Sequence, residues 1–213
     1  MTTFVFVRHG QSEWNKSNRW QGQADVALSD QGRVQARLLA ERLVGEGARF
    51  DHIYASDLGR ALETAQIVAG ALGMPVHPLI ELREIHIGAW SGLTGDEIRA
   101  RFPDEWAMVE SGGDCRRGGD GETLSEFHER TARAVEHLAR THPGQRLLVV
   151  THGGTIHRVL HYVERFGVPV THPRIDNTSL TEIVLDGDAP RVNRVNDVGH
   201  LEPTVSALDT RIE

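Results

Sequence analysis

Two short apolar runs, residues 4–7 and residues 147–150, constrain the fold of this chain most strongly. The first leads through Arg8 to His9, the second leads to His152, and a glycine follows each histidine. A short run of branched and aromatic residues before a glycine is typical of a buried strand that ends in a turn. Both imidazoles should therefore lie at carboxyl ends of strands, where open α/β sheets bind their ligands. Two histidines and an arginine on one rim would suit an anion, and a phosphate ester best matches imidazole chemistry at neutral pH.

The composition is that of one soluble domain. Because the chain is acidic as a whole, a phosphate site would require positive charge to be concentrated locally. At 213 residues the chain fits a single domain, residues 1–213, and its 39% hydrophobic and 25% charged residues are ordinary for a globular protein. The formal net charge of −7 offers no electrostatic footprint for nucleic acid, so we expect no such partner. The single Cys115 excludes an internal disulfide, and no Cys/His spacing resembles a structural zinc site. The sequence therefore predicts neither a metal nor a cofactor.

The chain shows no sign of a targeting or membrane-spanning segment. Its N-terminal apolar run covers only residues 4–7, and no basic region precedes that run as in a signal peptide. A bilayer span needs about 18–20 apolar residues, and no run approaches that length. We expect a soluble, cytoplasmic protein that does not associate with a membrane.

Strand and helix patterns alternate along the chain, which is typical of α/β proteins. Strands are predicted at residues 4–7, 51–56, 76–79, 147–151, 179–185 and 191–195, and the last two are predicted to form a hairpin. Helices are predicted after Ser29 and over residues 58–72, 123–140 and 155–165. Glycine pairs and Pro103 interrupt residues 80–121, which are predicted to be irregular. The alternation predicts an α/β three-layer sandwich, with a mainly parallel central sheet flanked by helices.

The helix after Ser29 is predicted from the spacing of its large apolar residues. Ser29 is a suitable N-cap, and Gly45 or Gly47 would end the helix. The apolar face is expected to hold Val34, Leu38, Leu39, Leu43 and Val44.

Four blocks of sequence together resemble the histidine phosphatase superfamily, which comprises the cofactor-dependent phosphoglycerate mutases and their phosphatase relatives. The blocks are residues 8–15 (RHGQSEWN), 56–65 (SDLGRALETA), 81–92 (ELREIHIGAWSG) and 151–154 (THGG). They follow the order and spacing of that family, and the resemblance extends from about residue 3 to residue 185. It implies a phosphoglycerate mutase-like fold and metal-independent phosphoryl transfer from a small phosphomonoester.

The resemblance implies that His9 is the nucleophile. A neutral imidazole has a free lone pair near pH 7 and can form a covalent phosphohistidine. Arg8 and Arg60 would clamp the phosphate oxygens with paired donors, and Arg60 lies near the start of a predicted helix. His152 would supply a further donor, and the N–H groups around Gly153 would add the partial positive charge of a helix start.

Four other polar residues are weaker candidates for the same site. Asn15 resembles the neutral phosphate donor of the family, although a role in a turn would also explain it. Asn177 and Ser179 resemble a position near the floor of the family's active site, and a cap or turn would explain them equally well. His157, about one helical turn after His152, could line the site or simply pack.

Glu84 is the predicted general acid and, later in the reaction, the general base. It would protonate the leaving oxygen and then activate the water that attacks phosphohistidine. Glu81 is the rival carboxylate. Glu84 is preferred because the family's acid follows a Leu-x-Glu-x-x-x-Gly-x-Trp spacing, which Leu82, Gly88 and Trp90 complete here.

The resemblance leaves open whether water or a substrate hydroxyl accepts the phosphoryl group. Gly154 resembles the phosphatase branch, since the mutases typically carry Asn and Ser after the first glycine of this block. Residues 94–121 form a shorter insertion than that of the mutases, and we expect this segment to act as a lid. Arg116 and Arg117 in the segment could recognise a second acidic group. A phosphatase is therefore predicted, with a phosphoglycerate mutase as the alternative.

A second alternative is a non-catalytic phosphate-binding module. That function would predict loss of the nucleophile, an arginine or the acid, yet all of these residues are present. Self-association as a homodimer is a further expectation from the resemblance. The C-terminal tail, about residues 203–213, is predicted to be poorly ordered or to contact a partner.

Overall fold

The strands and long helices that the sequence predicts are all present, with bounds that agree within two residues. The computed structural model describes residues 1–187 and 189–201. Its elements, in chain order, are β1 (Thr2–Arg8), α1 (Glu13–Lys16), α2 (Asp30–Gly45), β2 (His52–Ala55), α3 (Gly59–Leu72), β3 (Val76–Pro78), α4 (Gly95–Arg101), α5 (Pro103–Glu110), α6 (Leu124–Thr141), β4 (Arg146–Thr151), α7 (Gly153–Glu164), β5 (Leu180–Leu185) and β6 (Arg191–Asp197). Short 3₁₀ turns occur at Ile80–Leu82, Gly88–Trp90 and Gly199–Leu201.

The six strands form one sheet in the order β3-β2-β4-β1-β5-β6. The pairs β3/β2, β2/β4 and β4/β1 are parallel, whereas β5 and β6 join as an antiparallel hairpin. The predicted mainly parallel α/β sheet and its terminal hairpin are thus confirmed. Strands β1 and β4 are neighbours, and Arg8 lies opposite Thr151 in their register. His9 and His152, the next residues, therefore leave the sheet side by side at one edge.

Alternation within β1 and β4 builds a hydrophobic core on each face of the sheet. Phe4 and Phe6 of β1 pack with side chains of α6 and α7 on one face. Val5 and Val7 pack with α2 and α3 on the other face. Every side chain of both apolar runs is fully buried, because helices cover both faces of these central strands. The result is the predicted three-layer arrangement.

Helix α2 has the predicted N-cap, but its buried face differs from the predicted one. The Ser29 hydroxyl accepts a hydrogen bond from the Gly32 N–H at 3.1 Å, and Leu39 and Leu43 are buried as expected. Val34 and Val44 are instead 38% and 50% exposed. The buried residues are Gly32, Ala36, Leu39, Ala40 and Leu43. Glycine and alanine on the buried face let α2 approach the sheet closely. The prediction was based on large apolar residues and therefore did not identify this face.

Residues 80–121 are more regular than the sequence predicts, since they contain α4 and α5. Thr94 caps α4 in a capping box, and Pro103 occupies the first turn of α5. These helices pack around Trp20, Trp90 and Trp106, whose ring centroids lie 5.9 to 6.1 Å apart. The prediction of an irregular segment is therefore wrong. It gave weight to the glycines and overlooked the helix-start signals at Thr94 and Pro103. Whether the segment closes as a lid stays a prediction, and the predicted tail at 203–213 lies outside the described residues.

Within residues 1–187 and 189–201, no helix is both long enough and apolar enough to cross a membrane.

Candidate active site

His9 and His152 meet at the carboxyl edge of the sheet, between β1 and β4. Their rings lie edge to face with centroids 5.2 Å apart. His9 is 3% exposed and lines a cavity, whereas His152 is fully buried behind it. The structure thus brings together the two histidines that the sequence singles out, with His9 lining the cavity and the His152 ring packed against His9.

A backbone carbonyl selects the tautomer of His9. The ring Nδ1 donates to the Gly10 carbonyl at 2.7 Å, which leaves the lone pair on Nε2. Gly10 is held in turn, because its N–H donates to Thr64 Oγ1 at 3.0 Å. A side chain at position 10 would place its Cβ 2.5 Å from the Gly32 carbonyl oxygen, so only glycine fits between the turn and α2. The close packing of two glycines thereby fixes the orientation of the imidazole.

Both imidazoles are neutral at physiological pH. Burial lowers the pKa of His9 well below its usual value, and the charges of Arg60 and Arg8 lower it further. Burial likewise depresses the pKa of His152, followed by the charge of Arg60. A neutral imidazole with a free Nε2 is the form of His9 that can act as a nucleophile.

Backbone carbonyls hold Arg60 against His9. Its Nη1 donates to the Ala24 carbonyl at 2.8 Å and its Nη2 to the Gly22 carbonyl at 2.7 Å. Its Nε donates to His9 Nε2 at 3.3 Å, so the guanidinium lies directly against the nitrogen that carries the lone pair. Burial lowers the pKa of Arg60 to about 10, an effect that Glu84 opposes, and the side chain stays charged at neutral pH.

Arg8 supplies a second cation, which is half-buried. Its Nη1 donates to the Ile175 carbonyl at 2.6 Å, and its buried Nε has no hydrogen-bond partner among the described residues. Within that part of the chain, neither Arg8 nor Arg60 forms an ion pair with a carboxylate. Burying a charge without a counter-ion costs several kcal/mol on an order-of-magnitude basis. An anion bound between the two guanidinium groups would offset that cost.

The start of α7 adds neutral donors beside the two arginines. His152 is the N-cap residue of α7, and Gly153, its first residue, lines the cavity. The His152 Nε2 hydrogen-bonds with the Ser56 hydroxyl at 2.8 Å, whereas its Nδ1 has no partner in the described part of the chain. Because the Ser56 hydroxyl can donate as well as accept, Nδ1 can carry the proton and donate to a ligand. Sequence reasoning did not find Ser56, although it follows the apolar strand β2 directly.

Glu84 faces the same cavity and is held by two backbone N–H groups. Its Oε1 accepts from the Ile85 N–H and its Oε2 from the Gly154 N–H, both at 2.9 Å. Of the cavity-lining residues that the structure describes, Glu84 alone is acidic. The rival Glu81 lies in the 3₁₀ turn at Ile80–Leu82 and lines a different cavity. The structure therefore places Glu84, and not Glu81, beside His9.

Arg130 on α6 holds the backbone that carries Glu84, a role that sequence reasoning did not find. Its guanidinium donates to the carbonyls of Glu81, Arg83 and Glu84 at 2.8 to 3.2 Å. The Glu122 carboxylate binds the other side of the same guanidinium in two hydrogen bonds of 2.8 Å. One planar donor group thus determines the path of an otherwise irregular segment, a task for which arginine is suited.

We expect Arg130→Lys to lower kcat on alkyl phosphates by about 10- to 100-fold. Lysine cannot donate to all of these carbonyl and carboxylate oxygens at once, so Glu84 would lose its position. KM should change little because Arg130 does not line the cavity. Steady-state kinetics on an alkyl and a nitrophenyl ester would test this positioning role. A rise in KM with unchanged kcat would contradict it, and Arg133→Lys, on the same helix, provides the control.

Asn15 lines the cavity and also has the capping role that the sequence left open. It forms a capping box with Ser12 at the start of α1. Its Oδ1 accepts from the Ser12 N–H at 3.1 Å and from Asn177 Nδ2 at 3.4 Å. The Asn15 Nδ2 is left as a donor for a ligand. Asn177 acts on the backbone instead, because its Nδ2 also donates to the His9 carbonyl at 2.9 Å.

The cavity has a volume of about 600 Å³ and a strongly basic lining, in contrast to the acidic protein as a whole. Arg19 and Arg174 line it together with Arg8 and Arg60, and His157 does so as well. Arg116 and Arg117 do not, because they bind Glu126 and the Glu122 carbonyl respectively. Recognition of a second acidic group by Arg116 and Arg117 therefore stays a prediction.

A neutral imidazole, two arginines without a carboxylate partner among the described residues and a nearby carboxylate together form a site at the edge of an α/β sheet that suits a phosphate ester. The chain belongs to the histidine phosphatase superfamily (branch 1), whose family model matches residues 4–198.

The relatives include proteins named as phosphatases and proteins named as mutases. Phosphoglycerate mutase-like protein 4 of Arabidopsis thaliana is 39% identical over 94% of this chain and 87% of its own length. The metal-independent phosphoserine phosphatase of the same plant is 33% identical over 94% of this chain and 84% of its own length. A mycobacterial glucosyl-3-phosphoglycerate phosphatase, solved in complex with VO3, is 31% identical with a TM-score of 0.78, covering 92% of this chain and 98% of its own. These names support a phosphatase that acts on small molecules.

Proposed function

We propose that this protein hydrolyses small phosphomonoesters through a phosphohistidine intermediate on His9. One observation carries the proposal: the Nε2 lone pair of a neutral imidazole lies beside the buried guanidinium of Arg60 and the half-buried one of Arg8, and neither has a carboxylate partner among the described residues. Phosphoryl transfer depends mainly on positioning and on neutralising the charge of the phosphoryl oxygens. The site supplies both before any substrate arrives.

In the first step, the lone pair of His9 Nε2 attacks phosphorus and the bond from phosphorus to the ester oxygen breaks. Arg8 and Arg60 bind the equatorial oxygens, with His152 Nδ1 and the Gly153 N–H as further donors. Glu84, in its protonated form, gives its proton to the leaving oxygen, which departs as an alcohol. The Gly10 carbonyl accepts from Nδ1–H throughout and stabilises the positive charge that develops on the ring.

In the second step, Glu84 acts as the base. Its carboxylate takes a proton from water, and the water oxygen attacks the phosphorus of phosphohistidine. The P–N bond breaks, its electron pair returns to His9 Nε2, and inorganic phosphate leaves. Glu84 is protonated again and ready for the next substrate.

The substrate we infer is a small phosphomonoester that also bears a carboxylate. The cavity of about 600 Å³ suits a small molecule. Arg174 stands at its rim with an 84% exposed side chain, and its nearest carboxylate oxygen, on Asp176, is 3.4 Å away. A substrate carboxylate can therefore reach the Arg174 guanidinium while the phosphate lies between Arg8 and Arg60. Phosphoserine and phosphoglycerate derivatives, which appear in the names of the relatives, have this combination of groups.

Arg174→Ala is expected to raise KM for phosphoserine by about 5-fold and to leave kcat nearly unchanged, because an exposed charge contributes on the order of 1 kcal/mol to binding. KM for nitrophenyl phosphate, which has no carboxylate, should stay the same. Measuring both substrates with the variant and with Arg165→Ala as a control tests the assignment. Equal changes in KM for the two substrates would refute carboxylate recognition by Arg174.

A phosphoglycerate mutase is the second candidate, since a relative of 39% identity bears a mutase-like name. A rapid-quench experiment with 3-phosphoglycerate, with and without 2,3-bisphosphoglycerate, separates the two activities. Released phosphate and isomerised product are quantified separately. Release without isomerisation supports the phosphatase, whereas isomerisation that outpaces release would establish the mutase. Failure to turn over any phosphomonoester, including a generic aryl phosphate, would favour a binding module.

Activity is expected to survive EDTA. Two guanidinium groups, rather than a metal ion, neutralise the phosphate in this mechanism, and histidine, rather than a metal-bound hydroxide, attacks it. The test is kcat on an aryl phosphate before and after chelation. Loss of turnover that magnesium restores would overturn the proposed chemistry.

We further infer a cytoplasmic enzyme that acts without nucleic acid or a membrane partner and forms a homodimer. The net charge of −7 and the resemblance to the family support these inferences. Sedimentation of the purified protein tests the homodimer directly.

A further inference from the structure

The end of α7 carries a cluster of metal-ligand side chains outside the phosphate site. His161 and Glu164 lie on its last turn, and His172 lies on the segment that follows. His161 Nδ1 is 2.8 Å from Glu164 Oε2, and His172 Nε2 is 2.8 Å from Glu164 Oε1. One ligand atom from each residue lies within 4.8 Å of the other two. We propose that His161, Glu164 and His172 bind one divalent transition-metal ion, with Zn²⁺ as the probe.

The ligand set matches the chemistry of zinc. Two imidazole nitrogens and a carboxylate oxygen are common Zn²⁺ ligands, and a water molecule completes the tetrahedron when the protein provides three. The two histidines already direct a ring nitrogen towards the same carboxylate, so an ion between them would replace two hydrogen bonds. Because Glu164 is only three residues after His161 on the helix, two of the three ligands come from one rigid turn.

Another group of imidazoles lacks these properties. His52 and His142 lie with ring centroids 4.5 Å apart, and His77 is close to His52. Both ring nitrogens of His142 are engaged, one with the Tyr54 hydroxyl at 2.8 Å and the other with Gln145 Oε1 at 2.6 Å. Within the described ranges, the α7 cluster is the group whose ligand atoms converge.

The proposed metal site adjoins the wall of the active-site cavity. The His172 ring stacks on His161, with centroids 4.2 Å apart, and on His157, with centroids 6.0 Å apart. His157 lines the cavity, as do Arg174 and Ile175 shortly after His172. A metal ion would therefore fasten α7 to the segment that carries the cavity rim. It would set the position of that rim without taking part in phosphoryl transfer.

The experiment is a calorimetric titration of the chelator-treated full-length chain with Zn²⁺ in phosphate-free buffer. We expect one ion per chain, and at least a 10-fold weaker affinity in Glu164→Gln and in His172→Gln. His137→Gln, which changes an exposed histidine on α6, should bind as the parent does. Saturating Zn²⁺ should raise the Tm of the parent and of His137→Gln, but not that of the two ligand variants. Equal affinity in all four proteins would overturn the site.

A Co²⁺ titration of the unmodified protein tests the site without relying on any variant. Nitrogen and oxygen ligation in a four-coordinate geometry gives visible d–d absorption, and Zn²⁺ should displace it with the same one-to-one stoichiometry. Absence of that absorption at saturating Co²⁺, or displacement with a different stoichiometry, would refute the three-ligand site. Several weak, independent ions per chain would indicate adventitious binding to surface histidines and would refute it as well.

Discussion

Replacing His9 by alanine is expected to lower kcat by about 10⁴-fold or more, because the covalent route is lost together with its nucleophile. The structure supports so large a loss because several groups around His9 act on its imidazole. The Gly10 carbonyl fixes the tautomer, burial keeps the ring neutral, and Arg60 contacts the nitrogen directly. The measurements are kcat and the acid-labile phosphoprotein formed on rapid mixing with substrate. His9→Ala should form none.

The control for this experiment is His137→Ala, since that histidine is exposed and lies on α6 away from the cavity. It should retain parental kcat and the parental amount of phosphoprotein. Retention of more than about a tenth of kcat by His9→Ala would exclude His9 as the nucleophile, because loss of an attacking group costs far more than that. Unchanged phosphoprotein in the variant would direct attention to His152.

The second large effect is expected at Gly154, through the carboxylate that its backbone holds. A Cβ at this position would lie 2.9 Å from Glu84 Cδ and would overlap a carboxylate oxygen. In Gly154→Ala the acid must rotate away and lose the 2.9 Å hydrogen bond from the Gly154 N–H. General acid–base catalysis contributes about 10²- to 10⁴-fold, so we expect kcat/KM on alkyl phosphates, which reports formation of phosphohistidine and not its hydrolysis, to fall by at least about 10²-fold. Nitrophenyl phosphate, whose leaving group needs no proton, should lose much less.

Glu84→Gln should reproduce the same pattern, since glutamine cannot donate the proton that the alkoxide needs. Two glycines provide matched comparisons for Gly154→Ala. At Gly153, one residue earlier, a Cβ would meet Arg8 at an ordinary 3.6 Å, and at Gly70 on α3 it would meet nothing within 4 Å. We expect a small loss for Gly153→Ala and none for Gly70→Ala. Equal losses on alkyl and nitrophenyl esters would argue against Glu84 as the acid.

The sequence was sufficient for the parts of the fold that follow from local pattern. The apolar runs before His9 and His152 predict adjacent strand ends, and their parallel pairing brings the two histidines together. Arg60 and Glu84 come from separate segments, and the resemblance to the family alone indicated that they belong to the same site. The position of Glu84 follows from contacts with α6 and α7 that no local pattern encodes.

Several groups in the site could not be predicted because their roles depend on tertiary contacts. Arg130 is one of many arginines in the sequence, and nothing local shows that three carbonyls from residues 81–84 surround it. Ser56 gave no signal for its hydrogen bond to His152. Arg116 and Arg117 are basic residues in the inserted segment, and the sequence does not show that they contact Glu126 and the Glu122 carbonyl rather than the cavity.

Trp20, Trp90 and Trp106 connect the cavity to residues 94–121, and their fluorescence can report on this connection. Trp20 lines the cavity, and its indole lies about 6 Å from those of Trp90 and Trp106, the latter on α5. Indoles this close exchange excitation energy, so a change in the surroundings of Trp20 alters the emission of the whole group. The protein thus contains its own optical reporter of an occupied cavity. Any movement of α5 against the cavity wall would change the same tryptophan emission, so no added label is needed.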